Sequence, residues 1–130
     1  MTKSKKSLNW KNILFVFLSV LAIIIIFFVL DYLVHSLSNE YAVPDYYFRN
    51  KIIFGTFWAL IIYYFIRKLT ILRRSLILSA FISIVLQTRY YLEGYPLKFV
   101  LEFLIFHFIM LLVASLIIFN LMKKKLNVSS

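Results

Sequence analysis

The sequence has no cysteine. Disulfides, thiolate metal sites, iron–sulfur clusters and cysteine nucleophiles are therefore excluded. Glycine and proline occur only twice each, which leaves little material for turns, linkers or a disordered region and favours long uninterrupted elements. Acid is scarce as well: five Asp and Glu stand against fifteen Lys and Arg, a formal net charge of +10. No Gly-rich phosphate loop, H-E-x-x-H or G-x-S-x-G is present, so the chain carries none of the short motifs for phosphoryl, zinc-peptidase or serine-hydrolase chemistry.

What fills the chain instead is apolar. Of its 130 residues, 63% are hydrophobic, against about 45–50% in soluble domains, and the mean hydropathy is +0.90. Water is not the main solvent of such a chain. In a soluble protein the excess of base would suggest nucleic acid as partner. Here the basic residues sit in short clusters at the ends of apolar runs, where they meet lipid headgroups. The expected partner is therefore the bilayer, and no nucleic acid.

A hydrocarbon core of ~30 Å takes about 20 helical residues to cross. The first run, 14–30, is broken only by Ser19 and extends beyond Asp31, which predicts a helix over about 12–34. Its length exceeds the apolar region of a signal peptide and no A-x-A-like site follows, so the basic residues Lys3, Lys5, Lys6 and Lys11 are read as a flank, not as the start of a cleaved leader. A polar stretch, 35–50, separates it from a second span at 51–67, with Pro44 biasing Val43 away from helix and Asp45 placed to cap a helical turn. Arg67, Lys68, Arg73 and Arg74 bracket a short turn before a third span at 74–92. Gly94 and Pro96 then supply a stop and a turn, and the last span runs over 97–122. The expected fold is all-α: a single membrane domain, 1–130, of four transmembrane helices. On the second, Gly55 and Ala59 form a small-xxx-small pair for close helix approach, and Trp58 is read as packing.

Eleven of the fifteen Lys and Arg fall before the first span, between the second and third, or after the fourth. By the positive-inside rule both termini face the cytoplasm, and a multi-pass protein of the plasma membrane is expected. Asp31, Glu40, Asp45, Glu93 and Glu102 all fall towards the other side, as do Tyr32, Tyr41, Tyr46, Tyr47, Tyr90, Tyr91 and Tyr95, read as an interfacial belt. The tripeptide Asn127-Val128-Ser129 matches a glycosylation acceptor, but its cytoplasmic, terminal place makes the match fortuitous.

Ionisable groups inside a membrane cost about 2.5–3.5 kcal/mol each on insertion scales, so each needs a partner or a purpose. Asp31, His35, Gln87, Arg89, Glu102 and His107 reach similar depths under the outer surface and form the expected buried polar cluster. In the packing interpretation, Arg89 pairs with Asp31 or Glu102, and local Arg89–Glu93 and Lys98–Glu102 pairs are available at i, i+4. In the alternative, Asp31, His35, Glu102 and His107 are the candidate ligands of a divalent metal or the groups of a proton relay, because imidazole with carboxylate suits both. Glu102 and His107 lie about 140° apart on an ideal helix, which argues against a tidy ligand set. No cofactor and no metal is therefore expected, and no catalytic residue is identified.

In size and helix count the chain resembles the small multidrug-resistance exporters in outline only. That family depends on a membrane-embedded Glu in its first helix, and here no ionisable residue precedes Asp31 in the run, so membership does not follow. The leading expectation is a non-enzymatic interaction or accessory subunit, associating with another membrane protein or with itself through helix faces and the outer polar cluster. The alternatives are a small oligomeric transporter or channel subunit and a membrane-embedded metal-dependent enzyme on a lipidic substrate. A transporter needs Asp31 and Glu102 on a shared cavity, an enzyme needs both histidines within metal-ligand distance, and a scaffold needs a dry interior with Arg89 paired.

Overall fold

The computed structural model describes residues 10–126. Lys3, Lys5 and Lys6 and the Asn127-Val128-Ser129 tripeptide lie outside the described residues. The described chain is all-helical: α1 (Trp10–His35), α2 (Tyr46–Ile66), α3 (Ile71–Leu92) and α4 (Leu97–Leu121), with one 3-10 turn at Asn39–Tyr41. Three of them, α1, α3 and α4, are long and apolar enough to cross a membrane.

Each helix packs on its sequence neighbour, and α1 closes against α4, so the four form a ring. The most extensive contact is between α3 and α4, and its cause is a row of small residues. Ser75, Ser79 and Ser83 recur every fourth position on one face of α3, all fully buried. Opposite them stand Ala114 and Ser115 of α4, with the Ser79 and Ser115 hydroxyls 3.5 Å apart. Small side chains let the two backbones approach, which is how helices gain dispersion energy where lipid removes the hydrophobic drive. Ser83 and Ser115 donate back to the carbonyls of Ser79 and Leu112, so their hydroxyls cost little in an apolar seam. Between α1 and α2 the close approach falls at Gly55, where an added Cβ would meet the Ile24 side chain at 3.4 Å.

Two helix starts differ from the sequence expectation. The second helix begins at Tyr46, not at 51, because Tyr47 and Phe48 bond back to the carbonyls of Pro44 and Asp45; Asp45 is the N-cap residue but makes no side-chain cap bond. Lys51 is thereby carried inside the helix and buried instead of standing at its start. The third begins at Ile71 after an extended Thr70, which takes Arg73 and Arg74 out of the turn and buries Arg74 completely. The end of α3 follows the reading closely. Gly94 adopts a positive φ of 89°, and Tyr95 bonds back to the Tyr90 carbonyl at 3.2 Å, the closing bond of a Schellman turn.

Candidate functional site

Five polar side chains meet near one end of the bundle. Asp31 and His35 stand one turn apart on the inner face of α1, Lys51 comes from α2, Gln87 continues the serine row of α3 one further turn, and His107 comes from α4. All five are buried, Asp31 and His107 completely. The centre is the Asp31 carboxylate. Lys51 Nζ donates to Oδ2 at 2.5 Å, and His107 Nε2 lies 2.8 Å from Oδ1.

The donors and acceptors fix one another. Gln87 Nε2 lies 2.6 Å from His107 Nδ1, so Nδ1 accepts, the ring proton is on Nε2, and His107 donates it to Asp31. His35 Nδ1 lies 2.5 Å from the Tyr41 carbonyl, which can only accept, so His35 donates there. Its Nε2 lies 3.2 Å from Lys51 Nζ. The same Nε2 lies 3.3 Å from Asp31 Oδ1, so His35 faces both members of the Lys51–Asp31 pair. The result is a continuous path from Gln87 through His107 to Asp31, and from Lys51 to both Asp31 and His35, ending on the backbone at Tyr41. It touches all four helices and the loop after α1, and at its centre one carboxylate faces one ammonium.

Aromatic side chains close the site. His35 stacks on Phe103 with centroids 4.3 Å apart, Phe27 sets its edge against His107 at 5.2 Å, and the Lys51 ammonium lies 5.1 Å from the Tyr90 ring, a cation–π contact. Tyr47 and Tyr90, expected in the interfacial belt, are instead buried with Phe99, Val100 and Phe103 as a roof over the cluster. Tyr32, Tyr46 and Tyr91 stay exposed. In the loop, burial pushes the Tyr95 phenol above its ordinary value, with Tyr46 and Glu93 acting the same way, so it adds no charge at the rim. Two buried polar atoms beside the cluster, Gln87 Oε1 and the Tyr90 hydroxyl, have no partner.

Of the six expected cluster residues, Asp31, His35, Gln87 and His107 come together. Arg89 and Glu102 do not, and both are partly exposed. Arg89 pairs along its own helix with Glu93 at 3.0 Å and not with Asp31 or Glu102; Glu102 faces Lys98 at 3.8 Å. The physical reason is that a closer cation, Lys51, already satisfies Asp31, so Arg89 is left to reach outward to a local acid. Lys51 is the member that reading the sequence missed. Asp31, His35 and His107 offer ligand atoms all within 4.8 Å of one another, so three of the four candidate metal ligands converge and Glu102 does not.

No family model, curated protein or solved structure matches the chain.

At the opposite end a second polar centre is built around Arg74. Its guanidinium donates to the Tyr63 hydroxyl at 2.8 Å and to the carbonyls of Arg67 and Leu69, and it lies against the rings of Tyr63 and Phe119. Its Nε has no partner, and among the described residues no carboxylate pairs with it.

Proposed function

We propose that this chain is a four-span membrane protein with both ends in the cytoplasm, and that it acts without catalysis, by lateral association of a helix face with another membrane protein. The observation that carries this reading is the closure of the Asp31 cluster. Its carboxylate and ammonium pair, its members bond to one another from every helix, and they are buried among aromatic side chains, so the cluster serves to fix helix order and rotation. In a bilayer such interhelical polar contacts act as fasteners. A fourth span is supported by the direction in which α2 turns its residues. Lys51, Thr56 and Tyr63 point inward, while Ile53, Phe54, Phe57, Trp58, Ile61 and Phe65 are exposed, so the face offered to lipid is apolar although the helix as a whole is mixed.

That face is also the association surface. Phe54, Phe57, Trp58, Ile61, Tyr64 and Phe65 recur at intervals of three and four and form one ridge. Large, stiff aromatic side chains lose little freedom on docking and dominate interface energetics. A partner helix is the occupant this ridge fits. The transporter reading loses support, because Glu102 lies away from Asp31 and shares no cavity with it among those found in the described residues.

A second reading has one specific observation in its favour, the convergence of Asp31, His35 and His107 on a common point. Such a trio suits a divalent ion. Against this, the Lys51 ammonium sits 2.5 Å from the same carboxylate and supplies the positive charge itself.

Purification in mild detergent, with mass measurement and metal analysis on one sample, separates the readings. The expected result is a complex heavier than one chain, free of stoichiometric metal, that falls to a single chain when Phe57→Ala and Tyr64→Ala are combined. A strictly single chain from native membranes sinks the association reading, and one tightly held metal ion per chain moves the assignment to the second.

A further inference from the structure

The two ends of the bundle differ in a way the association reading does not use. All five acidic residues of the sequence lie at the Asp31 end or in its loops. At the other end a groove runs between the start of α1, the end of α2 and the turn after α4. Its upper part, about 360 Å³, is bounded by Asn12, Tyr63, Arg67, Lys68 and Lys125. Its lower part, also about 360 Å³, continues between Ile13, Val16, Phe17 and Leu60. The two parts share Asn12, Val16, Tyr63 and Arg67. The groove is thus a cationic mouth over an apolar trough, open on the side of the bundle.

Beneath its floor lies Arg74, fully buried and bonded to Tyr63 and to the Arg67 carbonyl, both part of the wall. A guanidinium does not give up its proton in a protein, and among the described residues this one has no carboxylate to cancel it and an Nε left without an acceptor. A buried charge without a counter-ion is strongly unfavourable. An anion in the groove meets Arg67, Lys68 and Lys125 directly and offsets the Arg74 charge through space, and the trough answers what the anion must be attached to.

The geometry points to a binding site for an anionic phospholipid, its phosphate among Arg67, Lys68 and Lys125 and one acyl chain along Val16, Phe17 and Leu60. Charge complementarity identifies the headgroup, since the charged residues lining the mouth are all cations. The apolar trough, flush with the outer surface of α1 and α2, identifies a lipid and not a soluble phosphate. Basic pockets between transmembrane helices on the cytoplasmic side are suited to such headgroups. The inference uses the membrane placement proposed above but not the association with a partner.

The test is lipid retention by the full chain in detergent, read by native mass spectrometry with phosphatidylglycerol or phosphatidylcholine of identical acyl chains. Phosphatidylglycerol should be retained in preference. The combined variant Arg67→Gln, Lys68→Gln, Lys125→Gln should lower that retention by roughly a hundredfold at low salt, from about fivefold per basic side chain. Ile13→Trp, which fills the trough without changing charge, should lower it too. Arg49→Gln with Lys98→Gln, at the other end, should not. Equal retention of both lipids, an unaffected triple variant, or an equal loss in the Arg49/Lys98 control overturns the proposal. Displacement of the lipid by millimolar inorganic phosphate would also overturn it, by showing a site for the free anion. Lipid held by a single chain would leave this proposal standing and remove the association reading.

Discussion

Lys51 and Asp31 hold one another's charge inside the bundle, and the consequences of removing either are unequal to the consequences of removing both. Lys51→Met leaves a buried carboxylate without its ammonium, a loss of roughly 3–5 kcal/mol. Asp31→Asn leaves an uncompensated ammonium and should cost as much. The double variant removes both charges and should recover most of the loss, since a buried pair replaced by uncharged groups of similar size is often near neutral. Unfolding of each variant in a detergent titration measures the three values; additive losses would show that the two side chains do not act as a pair. His107→Phe is a separate case. It removes the donor to Asp31 Oδ1 and the acceptor for Gln87 together, leaving two buried polar groups unpaired at about 1–3 kcal/mol each.

Among the elements, α3 and α4 depend on the serine row, so enlarging it should be felt there first. Ser79→Leu forces the helices apart at their closest seam and should destabilise by roughly 1–3 kcal/mol, whereas Ser79→Ala keeps the approach and should change little. At Gly55 the neighbour is the flexible end of Ile24; Gly55→Ala should be tolerated and Gly55→Ile should not, a contrast that the same titration reads. The apolar runs that become α1, α3 and α4 were legible in the sequence because length and hydropathy act locally. The seam between them was not, although Ser75, Ser79, Ser83 and Gln87 stand at a constant spacing of four, because small uncharged polar side chains scattered through an apolar run do not show which helix they face. Asp31 and His35 were legible as an i, i+4 pair. Lys51 was not, since a lysine just ahead of an apolar run looks like an interfacial anchor until its acid, on another helix, is known. Arg74 was hidden the same way, as one more base in a basic turn.

For the molecule as a whole, the separation of acids from bases is the feature to test against orientation. The lack of native cysteine gives a clean background for it. Single replacements Ser38→Cys and Glu93→Cys should react with a membrane-impermeant maleimide on intact cells, while Lys68→Cys and Lys124→Cys should react only after lysis. Labelling of Lys68→Cys in intact cells would reverse the proposed topology. The reach of the Asp31 contacts along the chain also sets an order of assembly. Lys51 follows Asp31 by 20 residues and His107 follows it by 76, so on the proposed topology the acid of α1 should meet its ammonium early in synthesis and its imidazole last. The nascent chain should therefore commit α1 and α2 to the translocon's exit as a hairpin, and α4 arrives as the latch that finishes the job.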